Sequence, residues 1–570
     1  MGAFLLGVAA PAEKALAQSG SPGSGGTTVR RTILDRNGDN RLENAPGEDY
    51  VVRDDLGSAR PDRKGRRQEK VFFAQMTDIH ITDEQSPLRV EFLDRLGSPF
   101  TSAYRPQEGV STRVLNEMVR ELRGLTSPAT GRSLDLVVTT GDSTDNTQLN
   151  EVRGLIDTLD GQRVEPDSGV PGTCGTSEDD GPYDGVRGDN EYYEPDSSSG
   201  ADEGNNTEDG PGYSPNREEN RREAGRSNVV RDFRGLFEQM NRDFRAAGLG
   251  VPWYGMFGNH DGLVQGNQPR NPALEEIAVG CLKVTGFATS EDEQRLRELA
   301  GGDLTAGQSR TGDTVLREPL EETLSDPDSR PARTVPRDDR RRPLTKQDFI
   351  REHFETAGEP VGHGFTEENL ESGQGNYSFK PEEDLRFVVL DSVAENGGAG
   401  GNIDDPQFRW LHRELLEAEE DRELVIVFSH HALETMDEPP ASPFPPGDAG
   451  GEQSPLVHFG ESPPGVDEPA PCALEDPESE PTPDETLRCL LLRHPSVVCL
   501  VSGHEHEHRI RPVPRSGPIG ETGSGFWQIV TASHADWPQQ SRAIDLVDNR
   551  DGSLSIFATI VDHGAPPDPG

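Results

Sequence analysis

Five short motifs bearing histidine or aspartate follow one another along the chain: Asp78-Ile79-His80, Gly141-Asp142, Gly258-Asn259-His260-Asp261, Ser429-His430-His431 and Gly503-His504-Glu505-His506. Residues two apart share a face of extended chain, so Asp78 with His80, and His504 with His506, can each be aimed at one cation. A donor set of imidazoles, carboxylates and one amide suits a divalent metal such as Mn, Fe or Zn. No cysteine is placed to join it. Two such ions about 3.5–4 Å apart can clamp a phosphoryl group and lower the pKa of a bridging water to about 7. The hydroxide so formed would be the nucleophile, and no serine or cysteine would be needed.

The elements that must position these residues are the apolar runs that each motif closes, at residues 71–76, 134–140, 251–257, 424–428 and 497–501. Their lengths and β-branched content predict buried strands. In an open α/β sheet, ligand sites gather beyond the carboxyl ends of the strands, so five motifs in that position can converge on one crevice. Singly, each motif has an ordinary reading. Gly-Asn is a common turn, and the alternating histidines from His504 to His508 could be an exposed metal-scavenging tract. Five of them in a fixed order, each at a strand end, point to chemistry.

The series resembles the signature of the calcineurin-like metallophosphoesterase superfamily: Asp-x-His, Gly-Asp, Gly-Asn-His-(Asp/Glu), His, and Gly-His-x-His. The likeness spans roughly residues 70 to 562 with long interruptions and leaves the first 68 unexplained. It implies an α/β fold built as a four-layer α-β-β-α sandwich with long loop insertions, and two divalent metal ions. Carried over position by position, it implies that Asp78, His80 and His506 hold one metal, that Asn259, His430 and His504 hold the other, and that Asp142 bridges them. His260, held by Asp261, would sit beside the leaving oxygen as general acid or charge stabiliser. The implied activity is hydrolysis of a small-molecule phosphate ester, a monoester or a diester. The rival expectation is a non-catalytic metal-binding module on the same fold. A pure metal scaffold has no need of a non-ligand histidine at position 260.

Two departures stand out. Purple acid phosphatases carry a tyrosine three residues after the Gly-Asp aspartate, whereas this chain has Asp145, so a ferric–tyrosinate site is not expected. The fourth motif is a His-His pair, in which His430 falls where related sequences have a single histidine and His431 is the fallback. His508 extends the last alternation and is expected at the rim.

The chain has 570 residues, with 56 basic against 103 acidic side chains and a formal net charge of -47. Such acidity repels nucleic-acid backbones and anionic lipid over a Debye length, so neither is an expected partner, and a phosphate substrate would be drawn in by the metals. Residues 3–10 form a short apolar core and residues 15–17 a small-x-small cleavage site, without a basic leader. This reads as the remnant of an export signal over residues 1–17, hence an extracytoplasmic location. No segment approaches the roughly 20 apolar residues of a membrane span. Of five cysteines, Cys499 lies in an apolar run and is expected as a buried free thiol. Pairing of Cys174 with Cys281 and of Cys472 with Cys489 would tie down loops that have little core of their own.

Residues 18–68 are rich in Gly, Ser, Arg and Asp; the stretch 35–40 imitates the start of a calcium loop, but Pro46 stands where the closing acid belongs. The metallophosphoesterase-like domain is expected over 69–570, interrupted at about 162–226, 262–345 and 434–484. The first insertion is dominated by Asp, Glu, Gly, Ser and Asn and is expected to be mobile. The other two leave from motif loops and would wall the cleft. Helices are predicted near 111–123, 147–159, 290–299, 404–418 and 484–493, and a hairpin at 543–547 and 554–561. The stretch 533–538 is read as packing, outside the site.

Overall fold

The computed structural model describes residues 25–566 except 36–41, 59, 98–99, 176–182, 184, 187–234, 269–270, 301–320, 326, 395–397, 440–455, 467, 473–475 and 516–524. The expected export signal and most of the acidic first insertion lie outside the described residues.

The chain folds as a mixed α/β structure around two large sheets. Their strands are β1 (Gln68–Met76), β2 (Leu136–Thr139), β3 (Trp253–Tyr254), β4 (Tyr377–Glu382), β5 (Leu385–Val389), β6 (Leu424–Phe428), β7 (Val497–Ser502), β8 (Arg509–Pro514), β9 (Gly525–Val530), β10 (Gln540–Asp548) and β11 (Leu554–Asp562). The five-stranded sheet runs β11-β10-β1-β2-β3 and the six-stranded sheet β4-β5-β6-β7-β9-β8. Within them β1, β2 and β3 are mutually parallel, as are β5, β6, β7 and β9, while the outer strands are antiparallel. Parallel strands covered on both faces are largely apolar. Every residue of β2 and of β5 is buried.

Phe73 of β1 meets Phe387 of β5 and Phe428 of β6 edge to face, with centroids 5.1 and 5.7 Å apart, so the two sheets share a core. Helices Ser111–Leu122 and Leu149–Leu159 add Leu115, Val119, Val152 and Ile156 to it. On helix Asp405–Asp421, Phe408, Leu411, Leu415 and Ala418 recur at helical spacing and pack with Val388, Val425 and Leu500 in a second core, joined by Leu490 of helix Leu487–Arg493. The second insertion makes a smaller core of its own, in which Leu274, Val284 and Leu296 lie against Leu88, Phe92 and Leu93. Tyr50 stacks edge-on to Phe557 of β11 at 5.3 Å, so the segment before β1 lies along the hairpin.

Both expected disulfides are present, Cys174–Cys281 and Cys472–Cys489, and Cys499 is buried and free. No helix among the described residues is long and apolar enough to cross a membrane.

Two strands depart from the sequence reading. The run at 251–257 forms a ladder only at Trp253–Tyr254, because it pairs with β2 on one side alone, while the Trp253 amide bonds to the Glu359 carbonyl of a loop at 3.1 Å. Conversely β8 is a strand to which no sequence expectation attaches, and its Pro512 and Pro514 fit because β8 is an edge.

Candidate functional site

All five motifs leave the carboxyl ends of parallel strands: Asp78 and His80 after β1, Asp142 after β2, Asn259 and His260 beyond β3, His430 after β6, His504 and His506 after β7. Their loops are tied by backbone hydrogen bonds, from the Asp78 amide to Gly141 O (3.1 Å), the His80 amide to Asp142 O (3.0 Å) and the Gly503 amide to His430 O (2.9 Å). Extended-chain parity is not what aims the side chains. Asp78, His80, Asp142, His504 and His506 have φ of 50, 48, 47, 71 and 54°, the left-handed region that residues other than glycine seldom enter. Backbone of this kind persists only where the surroundings over-determine it, and five such residues occur in one cluster. The motif glycines make room for the crowding. A Cβ on Gly258 would lie 2.1 Å from the Asp142 amide nitrogen, and one on Gly503 would lie 1.9 Å from Thr77 Oγ1.

The seven residues expected as metal ligands come together in two groups. In the first, His506 Nε2 is 3.3 Å from both Asp78 Oδ1 and His80 Nε2, and His80 Nε2 is 3.7 Å from Asp142 Oδ2. In the second, His430 Nε2 is 3.3 Å from the same Asp142 Oδ2 and 3.0 Å from Asn259 Oδ1, which is 3.0 Å from His504 Nδ1. Ligand atoms bound tetrahedrally at zinc-like bond lengths stand about 3.3–3.6 Å apart, so most of these spacings are close to those of a cation's coordination shell. The donor types fit a divalent metal equally well.

The imidazoles are pinned from behind. His80 Nδ1 bonds to Asp145 Oδ1 at 2.9 Å, His506 Nδ1 to Asp536 Oδ2 at 2.5 Å, and His430 Nδ1 to the Thr140 carbonyl at 2.8 Å. Such partners fix the ring and the tautomer, leaving the other nitrogen for a metal. Sequence reasoning missed both carboxylates. Asp145 had been noted only for not being tyrosine, and Asp536 lies in the stretch set aside as packing; the amides of His534 and Ala535 dock that stretch on the Asp78 carbonyl at 3.0 and 3.1 Å.

His431 has both nitrogens engaged, Nδ1 with Ser392 Oγ at 2.8 Å and Nε2 with Ala399 O at 3.1 Å, although its ring packs 4.5 Å from that of His504. His508 turns to Arg542 and Gln540.

His260 donates its backbone N–H to Asp142 Oδ1 at 2.7 Å, and its ring lies 4.5 Å from that of His80. The expected partner, Asp261, does not hold that ring. Its carboxylate accepts from the Gly258 amide (2.9 Å), the Thr144 amide and hydroxyl (both 2.9 Å) and the Ser143 amide (3.3 Å), and so staples the second motif loop to the third. The imidazole is held instead by Asp145, whose Oδ1 accepts from His260 Nδ1 at 2.9 Å while its Oδ2 pairs with Arg89. The reason is geometric: the side chain of the residue next in sequence turns down into the loops, and a carboxylate from the neighbouring loop reaches the ring. His80, Asp145 and His260 also come near enough together to be a possible metal group. Hydrogen-bond lengths and the arginine pair make Asp145 an orienting residue.

Electrostatics divides the histidines. Burial disfavours the His430 imidazolium, but Asp142 and Asp78 outweigh it and push its pKa up to about 9. His506 is likewise raised to about 9, burial being overcome by Asp78 and Asp536. Burial holds His504 down to about 3 and His260 to about 4, the latter against the pull of Asp142. Ligand imidazoles must be neutral to bind metal. Metal uptake by the metal-free protein at neutral pH should therefore displace the protons of both His430 and His506, and affinity should fall steadily as pH drops below about 9. Calorimetric titration in buffers of different ionisation enthalpy measures that release; uptake with no net protons at neutral pH would contradict it.

No family model matches this chain, and no curated protein matches it in sequence. Among solved structures it is similar to the crystal structure of a dimetal phosphatase from Danio rerio, at 11% identity, covering 87% of this chain and 100% of that one, with a TM-score of 0.31. A likeness that weak carries no argument about activity.

Proposed function

We propose that this protein hydrolyses phosphate esters at a dinuclear metal centre. The observation that carries the reading is the position of one atom, Asp142 Oδ2, within reach of both donor groups. On this reading Asp78, His80 and His506 hold one ion, Asn259, His430 and His504 the other, and Asp142 bridges. His430 is preferred to His431 because its Nε2 faces Asp142 Oδ2 and Asn259 Oδ1, whereas the His431 nitrogens bond to Ser392 and Ala399, although His430, His431 and His504 also come near enough together to hold an ion. The two sheets with their flanking helices are then the four-layer α-β-β-α sandwich of the calcineurin-like metallophosphoesterases.

Divalent ions of Mn, Fe or Zn, when bound, would supply Lewis acidity to the phosphoryl oxygens and lower the pKa of a water to about 7. The chain's own residues do the rest. Asp145 fixes His80 and His260 through one oxygen, so that Nε2 of His260 is the nitrogen available to substrate. Burial keeps that ring neutral, and Arg105 adds to the effect; negative charge arriving with a phosphate would raise its pKa and let it take up a proton for the leaving oxygen. Arg105, whose Nε pairs with Asp536 Oδ1 at 3.1 Å, places positive charge beside the carboxylate that holds His506. The rival metal-binding module leaves this orientation of His260 without purpose. The substrate on this reading is a small-molecule mono- or diester, and the apolar run at residues 3–10 supports action outside the cytoplasm.

Elemental analysis and a screen of aryl phosphate and bis-aryl phosphate on one purified sample provide the test. Two metal ions per chain are expected, with turnover at neutral to mildly alkaline pH that chelation abolishes and metal restores. A fully metal-loaded protein inert toward both ester classes would sink the proposal.

A further inference from the structure

A small cavity lies beside the loop that follows Asp78-Ile79-His80. Glu84 and Gln85 of that loop line it, with Thr112 from the start of helix Ser111–Leu122, Asp167 from the near end of the first insertion and Asn241 from the segment that follows it. Two side-chain oxygens on its walls are buried and have no hydrogen-bond partner, Gln85 Oε1 and Thr112 Oγ1. Their residues are only 4% and 5% exposed. The Gln85 amide cannot be reversed to mend this. Its Nε2 donates to Asp167 Oδ1 and to Ser168 O, both at 2.6 Å, and a carbonyl oxygen only accepts, so Oε1 is the atom left over. Buried polar atoms need partners, and two on one cavity leave it to a guest from outside the chain to supply them.

The chemistry of the walls says which kind. The side chains facing the cavity offer carboxylate, amide and hydroxyl oxygens, the donors of a hard cation. Asp83, although beside the cavity, is spent: it accepts from the Gln85 amide (3.0 Å), Ser168 Oγ (2.6 Å), Asn150 Nδ2 (2.7 Å) and Arg341 Nε (3.0 Å). Burial, with Asp83 next to it, pushes the Asp167 carboxyl up to about 6. Calcium accepts irregular sets of six to eight oxygens that include amides and waters, whereas magnesium demands near-octahedral geometry.

We propose that this cavity is a calcium site, with Asp167, Glu84, Gln85 Oε1 and Thr112 Oγ1 as protein ligands and water completing the shell. It would act as a strut. The start of the first insertion already meets the segment that follows it in a short ladder between Arg163–Val164 and Phe244–Arg245, and the ion would fasten Asp167, close beyond that ladder, to the loop behind His80. Closing a long loop is entropically unfavourable, and an ion bound only when the ends are together offsets that loss. The inference is independent of the hydrolytic reading.

The test is a calcium titration of the full chain, after the dinuclear centre has been saturated with manganese and its metal content measured. One calcium per chain is expected with a Kd of about 10⁻⁴–10⁻³ M and a rise in Tm. Asp167→Asn and Gln85→Leu should each weaken binding by at least about tenfold while leaving the manganese content unchanged. Asp167 is half-buried, so its variant is the one expected to fold without difficulty. Asp142→Asn, which disables the dinuclear centre, should bind calcium as the parent does. Absence of any calcium heat or Tm shift, equal affinity of parent and both cavity variants, or crystals grown in calcium with only a water in the cavity would each overturn the proposal.

Discussion

Asp142→Asn is expected to lose both metal and rate, with fewer than two ions per chain and kcat/KM down at least about a thousandfold, roughly 4 kcal/mol of transition-state stabilisation. The carboxylate is buried, and both its oxygens are committed, Oδ2 to the two donor groups and Oδ1 to the His260 amide. Asparagine can keep the bond to His260, because its carbonyl oxygen still accepts. Its amide nitrogen then faces the imidazole nitrogens of His80 and His430, where it has no lone pair for a cation and no charge to balance one. The same substitution removes the strongest favourable influence on the His430 imidazolium. Elemental analysis beside ester turnover reads the result, with circular dichroism to confirm folding. Two ions per chain and activity within about tenfold of the parent would show that the bridge is not where the geometry puts it.

His260→Ala should separate what Asp142→Asn combines. Its side chain is not among the seven ligand residues and reaches the site through Asp145, so metal content should stay at the parent value while kcat falls about 10²–10⁴-fold, the range of a lost general acid or base. Asp145→Asn provides the contrast. Because one oxygen of Asp145 orients both His260 and the ligand His80, that variant should lose rate and also bind metal about 10–100-fold more weakly. Asp261→Asn should instead act on the loops it staples and leave the His260 ring in place. Parent-level activity in the His260 variant would remove its catalytic role.

The ligand candidates were legible because they are local. Each motif is a few consecutive residues after an apolar run, and the parallel strands β1, β2, β6 and β7 deliver those residues to one end of the fold. Partners contributed by distant segments were not legible. Asp145 meets His80 across 65 residues, and Asp536 meets His506 across 30, with no spacing rule to connect them. The same holds for the oxygen-lined cavity, where residues 84, 112, 167 and 241 meet although no motif joins them.

By itself, the sequence determined the α/β class, the burial of Cys499 and the donor types of the site, since these follow from side-chain chemistry and short-range pattern, whereas the disulfide pairing was only one plausible arrangement until the fold brought the cysteines together. Tertiary structure alone decided which carboxylate holds His260 and which distant residues back the His80 and His506 rings. Those outcomes depend on left-handed turns at Asp78, Asp142 and His504 and on glycines that let loops touch. A side chain's direction is set by the backbone that crowds it, and that backbone arrives from elsewhere in the chain.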